Sequence, residues 1–143
     1  MNSTVFSLSA LWLVSITSIS TAQAHSTEQI KVETLTKQQY SWNGSVLPAY
    51  PKGQPEVQIM RFTIPSGQTL PVHKHPYINA GLLLKGELEV ETQSGEMIHI
   101  KAGDTLVEVV DTWHWGKSVG KEAAQIVVFY AGVKDQPVTL KQD

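Results

Sequence analysis

The sequence contains no cysteine. A disulfide scaffold, a thiolate metal site and a cysteine nucleophile are therefore excluded, and the chain is compatible with an oxidising compartment. Charge is also scarce: 17% of residues are charged, and 11 basic against 13 acidic side chains leave a net charge of −2. That balance gives no electrostatic case for neutralising a phosphate backbone, so a nucleic-acid partner is not expected. Arginine occurs once, as Arg61. After residue 24 there is no heptad pattern, no internal repeat and no run with helical periodicity over three turns. What is present is 41% apolar residues in 143, enough for one domain with one core. The five histidines then carry most of the chemical interest.

Residues 1–24 have no charged side chain, and Val5 to Ile19 is an apolar, hydroxyl-rich run that ends in Ala22-Gln23-Ala24. A small-x-small site after such a run is the mark of a cleaved signal peptide. The run is shorter than the roughly 20 residues a membrane-spanning helix needs. A basic segment ahead of it is missing, the first lysine being Lys31. The sequence thus predicts export to the periplasm or medium, with cleavage after Ala24 and no stable membrane span afterwards. His25 would become the N-terminal residue and could chelate copper through its amine and ring. Nothing near it in the sequence completes such a site, and an incidental terminal histidine is the alternative.

Short β-like runs punctuated by turn residues fill the remainder, which predicts an all-β sandwich or barrel. Residues 25–55, with Pro48, Pro51 and Pro55, read as a lead-in with one or two edge strands, and residues 56–143 as the barrel. Strands are expected over Glu56–Ile64, Gly81–Leu84, Glu87–Glu91, Met97–Ile100, Thr105–Val110, Trp113–Ser118 and Ala124–Tyr130. Lys85-Gly86 reads as a tight hairpin between two of them. Strand parity puts Glu87, Glu89 and Glu91 on one solvated face, opposite Leu88 and Val90. The same parity sets His99 apart from Ile98 and Ile100, so His99 is expected at the surface.

His73-Lys74-His75 aims two imidazoles at one face of a strand and Lys74 at the other. His114 lies on a later run that a barrel could bring opposite them. Three neutral imidazoles suit iron, manganese, nickel, zinc or copper without choosing among them. Paired structural histidines remain the alternative at this level.

The glycines around these histidines add a resemblance. Gly67, five residues, His73-x-His75, three residues, Asn79, six residues and Gly86 resemble the first motif of the cupin superfamily. Gly103, ten residues and His114 resemble the second. The resemblance implies a single-domain cupin barrel (a double-stranded β-helix, or jelly roll) holding one divalent metal ion through His73, His75 and His114. Where the family's fourth ligand is usually glutamate, this chain has Asn79, a weak neutral ligand or a hydrogen-bonding neighbour. The second motif's usual proline, glycine and asparagine are here Val109, Asp111 and Ser118. With neutral ligands only, a divalent ion keeps its charge, and an anionic chelating substrate is its natural partner. The site then resembles the three-histidine dioxygenases among the cupins. A non-catalytic module that captures metal or a small ligand is the other function class the sequence allows.

Other residues carry two readings each. Glu108 interrupts an apolar run and either faces the cavity as a catalytic proton acceptor or unusual ligand, or faces water. Tyr77 is either a donor at the pocket mouth, and so a second catalytic candidate, or a packed aromatic. Arg61 is an inward anchor for a carboxylate or a rim residue. Asp111 is expected to form a turn. Trp113 and Trp115 flank His114 and should share the outer face, packed by the lead-in or by a second copy. The resemblance favours a homodimer.

Overall fold

The computed structural model describes residues 29–142. The expected leader and His25 lie outside the described residues. Among the described residues nine strands are present: β1 (Pro55–Ile64), β2 (His73–Lys74), β3 (Asn79–Lys85), β4 (Glu87–Thr92), β5 (Met97–Lys101), β6 (Thr105–Val107), β7 (His114–Ser118), β8 (Ala124–Val133) and β9 (Leu140–Lys141). They form a four-stranded sheet in the order β1-β8-β3-β6 and a five-stranded sheet in the order β5-β4-β7-β2-β9. All ladder pairings are antiparallel, giving an all-β jelly-roll barrel. No helix among the described residues is long and apolar enough to cross a membrane.

The core follows from period-two alternation. Along β8, Ala124, Ile126, Val128 and Tyr130 are buried while their neighbours are not. Across the barrel, Leu88 and Val90 of β4 face inward and Glu87, Glu89 and Glu91 are half-exposed. Inner faces of both sheets thus supply one apolar cluster. The outer face of the first sheet exposes Val57, Ile59 and Phe129. Arg61 shares that outward parity with Val57 and Ile59 and is exposed, so the inward anchor reading is corrected.

Lys85-Gly86 is not a hairpin. β3 pairs with β6 and β8, whereas β4 pairs with β5 and β7, so the chain changes sheets at this point. Gly86 makes the corner with φ 75°, and a Cβ there would lie 2.8 Å from the carbonyl oxygen of Ala123. Only glycine accepts both the left-handed backbone and that approach. Local composition shows a turn but not which sheet the chain enters next.

The lead-in also differs from expectation. Its described part carries no ladder strand, only a Tyr40–Val46 bridge around a turn. That turn packs on β6: the Trp42 amide donates to the Val107 carbonyl at 2.9 Å, and Ser41 Oγ to the Glu108 carbonyl at 2.8 Å. β6 stops at Val107 rather than Val110: the Glu108 amide still donates to the Asn79 carbonyl of β3 at 3.1 Å, and beyond it the chain turns to partners outside the ladder. One of these is a parallel bridge from Val110 to His75.

Candidate metal centre

β2 lies between β7 and β9, with His73 in register with both His114 and Lys141. Alternation then places His75 beside His73 and turns Lys74 away. Lys74 reaches Asp111 at 3.2 Å and lies 5.3 Å from the ring centre of Trp113. Asp111 adopts φ 50°, as a turn-forming aspartate does. Its amide donates to the His75 carbonyl at 2.8 Å.

His73, His75 and His114 converge. Their ring centres are 4.9, 4.5 and 5.1 Å apart, and one nitrogen from each lies within 4.8 Å of the others. Each Nδ1 meets a backbone carbonyl: His73 with Pro71 at 2.7 Å, His75 with Val138 at 2.9 Å, and His114 with Thr112 at 2.8 Å. A carbonyl can only accept, so every Nδ1 carries the proton and every Nε2 presents a lone pair. Burial, partly offset by the carbonyl bonds, lowers all three pKa values, to about 3 for His75 and about 4 for His114. The rings are therefore neutral at physiological pH, as ligation requires.

These residues open onto a cavity of about 250 Å³ between the sheets. Glu108 lines it, with Oε2 3.7 Å from His114 Nε2. Burial pushes the Glu108 carboxyl up to about 7, and the Trp42 indole offsets that only in part. Glu108 Oε2, His114 Nε2 and the nearby Asn79 Oδ1 are all buried without a hydrogen-bond partner. All three can accept, and a buried acceptor without a partner is costly. A cation is the partner that free Nε2 lone pairs fit, so the donor set suits a borderline divalent ion.

Asn79 is buried at the start of β3, opposite Tyr130 in the ladder. Its Nδ2 donates to the Tyr77 carbonyl at 3.3 Å, and its side chain does not line the cavity. Tyr77 lies elsewhere too: it packs against the core and lines a second depression beside Pro76 and Val110. Alternation does not carry from His75 to Tyr77, because β2 ends at Lys74 and Pro76 cannot extend a ladder. His99 is at the surface, 2.8 Å from Glu87. Trp113 and Trp115 are half-buried.

Four contributors lie outside the expected set. Tyr130 packs its ring 5.3 Å from His75, and burial together with Glu108 raises its phenol pKa. Thr139 Oγ1 is 3.2 Å from His75 Nδ1, and Lys141 lines the cavity beside His73. Trp42 faces Glu108 from the lead-in. Tyr130 shares inward parity with Ile126 and Val128, a signal present in the sequence. Val138–Lys141 has no such signal, since a two-residue strand has no periodicity to read.

Residues 60–130 match the family model described as Cupin domain. A search of curated protein sequences finds no match. Among solved structures, an oxalate oxidase in complex with the substrate analogue glycolate is similar at 28% identity and TM-score 0.51, over 59% of this chain and 45% of that one. This chain thus spans less than half the length of that oxidase. An uncharacterized conserved protein with a double-stranded β-helix domain from Klebsiella pneumoniae is similar at 20% identity and TM-score 0.53, over 65% and 88%. A DMSP lyase from Ruegeria pomeroyi is similar at 16% identity and TM-score 0.50, over 64% and 44%. The last two likenesses concern the fold alone. With two glycine-framed histidine motifs, a jelly-roll barrel and this family match, the chain belongs to the cupin superfamily.

Proposed function

We propose that this is an exported metalloprotein whose three-histidine centre holds one divalent transition ion and acts on a small anionic organic molecule, as an oxygenase. The observation that carries the reading is the convergence of three Nε2 lone pairs from neutral rings, with the Glu108 carboxyl beside them at 3.7 Å from His114 Nε2. While Glu108 keeps its proton, such an ion keeps its full positive charge, and an acid or enolate is its natural partner. The likeness to an oxalate oxidase bound to glycolate supports a small acid as the substrate class.

When bound, the ion supplies Lewis-acid and, for iron, manganese or copper, one-electron chemistry. The chain's own parts are more specific. Backbone carbonyls of Pro71, Thr112 and Val138 fix the three rings, as outer-shell partners of histidine ligands do. Glu108, with a pKa near neutrality, holds or releases a proton at a carboxyl facing the cavity. The apolar walls exclude water. Asn79 stands in this proposal as a weak neutral ligand or a hydrogen-bonding neighbour. Export with cleavage after Ala24, and association of two copies, are also part of it. N-terminal sequencing and sedimentation test these two points.

Elemental analysis of protein purified without chelators should find about one transition ion per chain. Oxygen uptake by the iron-loaded protein is then measured across catechols, diketones, hydroxy acids and thiol acids. Uptake with an acid supports the oxygenase. No uptake with any of them, alongside micromolar ligand retention, replaces it with a non-catalytic binding module. Metal-free protein that binds oxalate as tightly as loaded protein overturns the metal-centred reading altogether.

A further inference from the structure

We infer that the cavity selects a small chelating carboxylic acid with a short hydrocarbon tail, its acid end between the histidines and Lys141 and its tail beside Gly116. The inference rests on the proposed anion-binding metal centre and adds what that centre discriminates.

The cavity has two unlike ends, and the register of β7 separates them. His114 pairs with Thr92, Gly116 with Val90, and Ser118 with Leu88. Each two-residue step moves roughly 6.6 Å along the strand, so the cavity passes from imidazoles to hydrocarbon within one step. At the first end, Thr139 and Lys141 share one side of the closing segment and both line the cavity. Lys141 is the sole cationic side chain in that lining, and it makes no ion pair among the described residues. Its charge is felt at His73. Arg61, the chain's one arginine, points away, so recognition of an acid falls to Lys141.

At the second end Leu88, Val90 and Gly116 come from one sheet and Phe62 and Ile126 from the other. Gly116 has no positive φ, so its backbone does not require glycine. A Cβ there would sit 3.5 Å from Leu88 Cδ1 and 3.6 Å from Leu70 Cδ1. Glycine therefore contributes room between those leucines. At about 250 Å³ the cavity falls just below the usual range of roughly 300–1,000 Å³ for drug-sized ligands. A two-carbon acid would leave the apolar end unfilled, and a hydrocarbon would leave Lys141 and the ion held by the three histidines without an anionic partner. A 2-oxo or 2-hydroxy acid with a tail of a few carbons satisfies both.

The test is calorimetric titration of the cobalt(II)-loaded protein with oxalate, glyoxylate, pyruvate, 2-oxobutanoate, 2-oxopentanoate and 4-methyl-2-oxopentanoate. Affinity should rise about fourfold per added methylene until the apolar end is full. Gly116→Val should flatten this series, each acid's affinity being read against that of glyoxylate for the same cobalt-loaded variant. Lys141→Met should weaken every member by a similar factor, about fivefold or more. Wild-type affinity indifferent to tail length overturns the inference, and this needs no variant to fold. A folded Gly116→Val protein that keeps the tail dependence also overturns it. If the loaded protein binds none of these acids, oxalate included, the anion-binding centre fails first and the inference fails with it.

Discussion

Glu108 shows how one side chain can work against the fold that holds it. The residue is 8% exposed and its Oε2 is buried with no hydrogen-bond partner. A folded-state pKa of about 7 against 4.5 means that the native state binds the extra proton between those values. The stability tied to that proton is complete below pH 4.5 and is lost as pH rises through 7. Glu108→Gln should therefore stabilise the metal-free protein at pH 8 by on the order of 2 kcal/mol, with little gain at pH 4.5. Urea unfolding at the two pH values checks this. The histidines behave differently as individuals: His75→Ala and His114→Ala should each abolish retention of the ion through gel filtration, while His99→Ala should leave it intact. Measured metal content per chain distinguishes them. His73, His75 and His114 were legible in the sequence because parity and glycine spacing fix them. Arg61 was not: its strand showed which residues share its side, but not which side is inside.

Two elements do more than their length suggests. The Lys85–Gly86 corner hands the chain from one sheet to the other, with a backbone that only glycine adopts beside the Ala123 carbonyl. Gly86→Ala should cost at least about 2 kcal/mol. Gly67→Ala, also at positive φ but with nothing within 4 Å of the added Cβ, should cost about 1 kcal/mol. Chemical denaturation midpoints compare the two. The Val138–Lys141 segment supplies the carbonyl that orients His75, the Thr139 hydroxyl beside it and the Lys141 side chain. Removing residues 138–143 should weaken metal affinity about 10- to 100-fold, measured by competition with a chelating dye. The sequence carried the longer strands well, because alternation over five or more residues specifies a face. It carried β2 only through its His-x-His pattern, and it did not carry β9, whose two residues are placed by their neighbours, or the destination of β4, which is a property of the whole barrel.

At the scale of the molecule, a cluster of buried neutral imidazoles makes the metal-free barrel sensitive to acid. His75 and His114, lowered to about 3 and about 4, must be protonated in the unfolded chain at pH values where the native state resists it. Their contribution is complete above pH 6.5 and is lost as pH falls towards 4. Glu108 acts in the opposite sense, its contribution falling as pH rises through 7. Thermal unfolding in a chelator should therefore show greatest stability near pH 6.5, with the steeper decline on the acid side. Added divalent ion should raise the melting temperature in proportion to the logarithm of its concentration. The architecture was legible in outline from the turn-punctuated strands and the two glycine-framed motifs. The cavity's other wall was not, because Phe62, Ile126 and Tyr130 come from strands that look like ordinary core.

The partners that hold the three rings are main-chain atoms of Pro71, Thr112 and Val138. A carboxylate in that role can disappear through one codon change, whereas a peptide oxygen is there whatever side chain its residue bears. Descendants of this sequence can therefore change Pro71 and Thr112, so long as the backbone path survives, and still inherit imidazoles of the right tautomer, while Val138 is held by its place in the core. Inheritance of the centre is thus tied to the shape of the barrel rather than to the identity of its supporting residues.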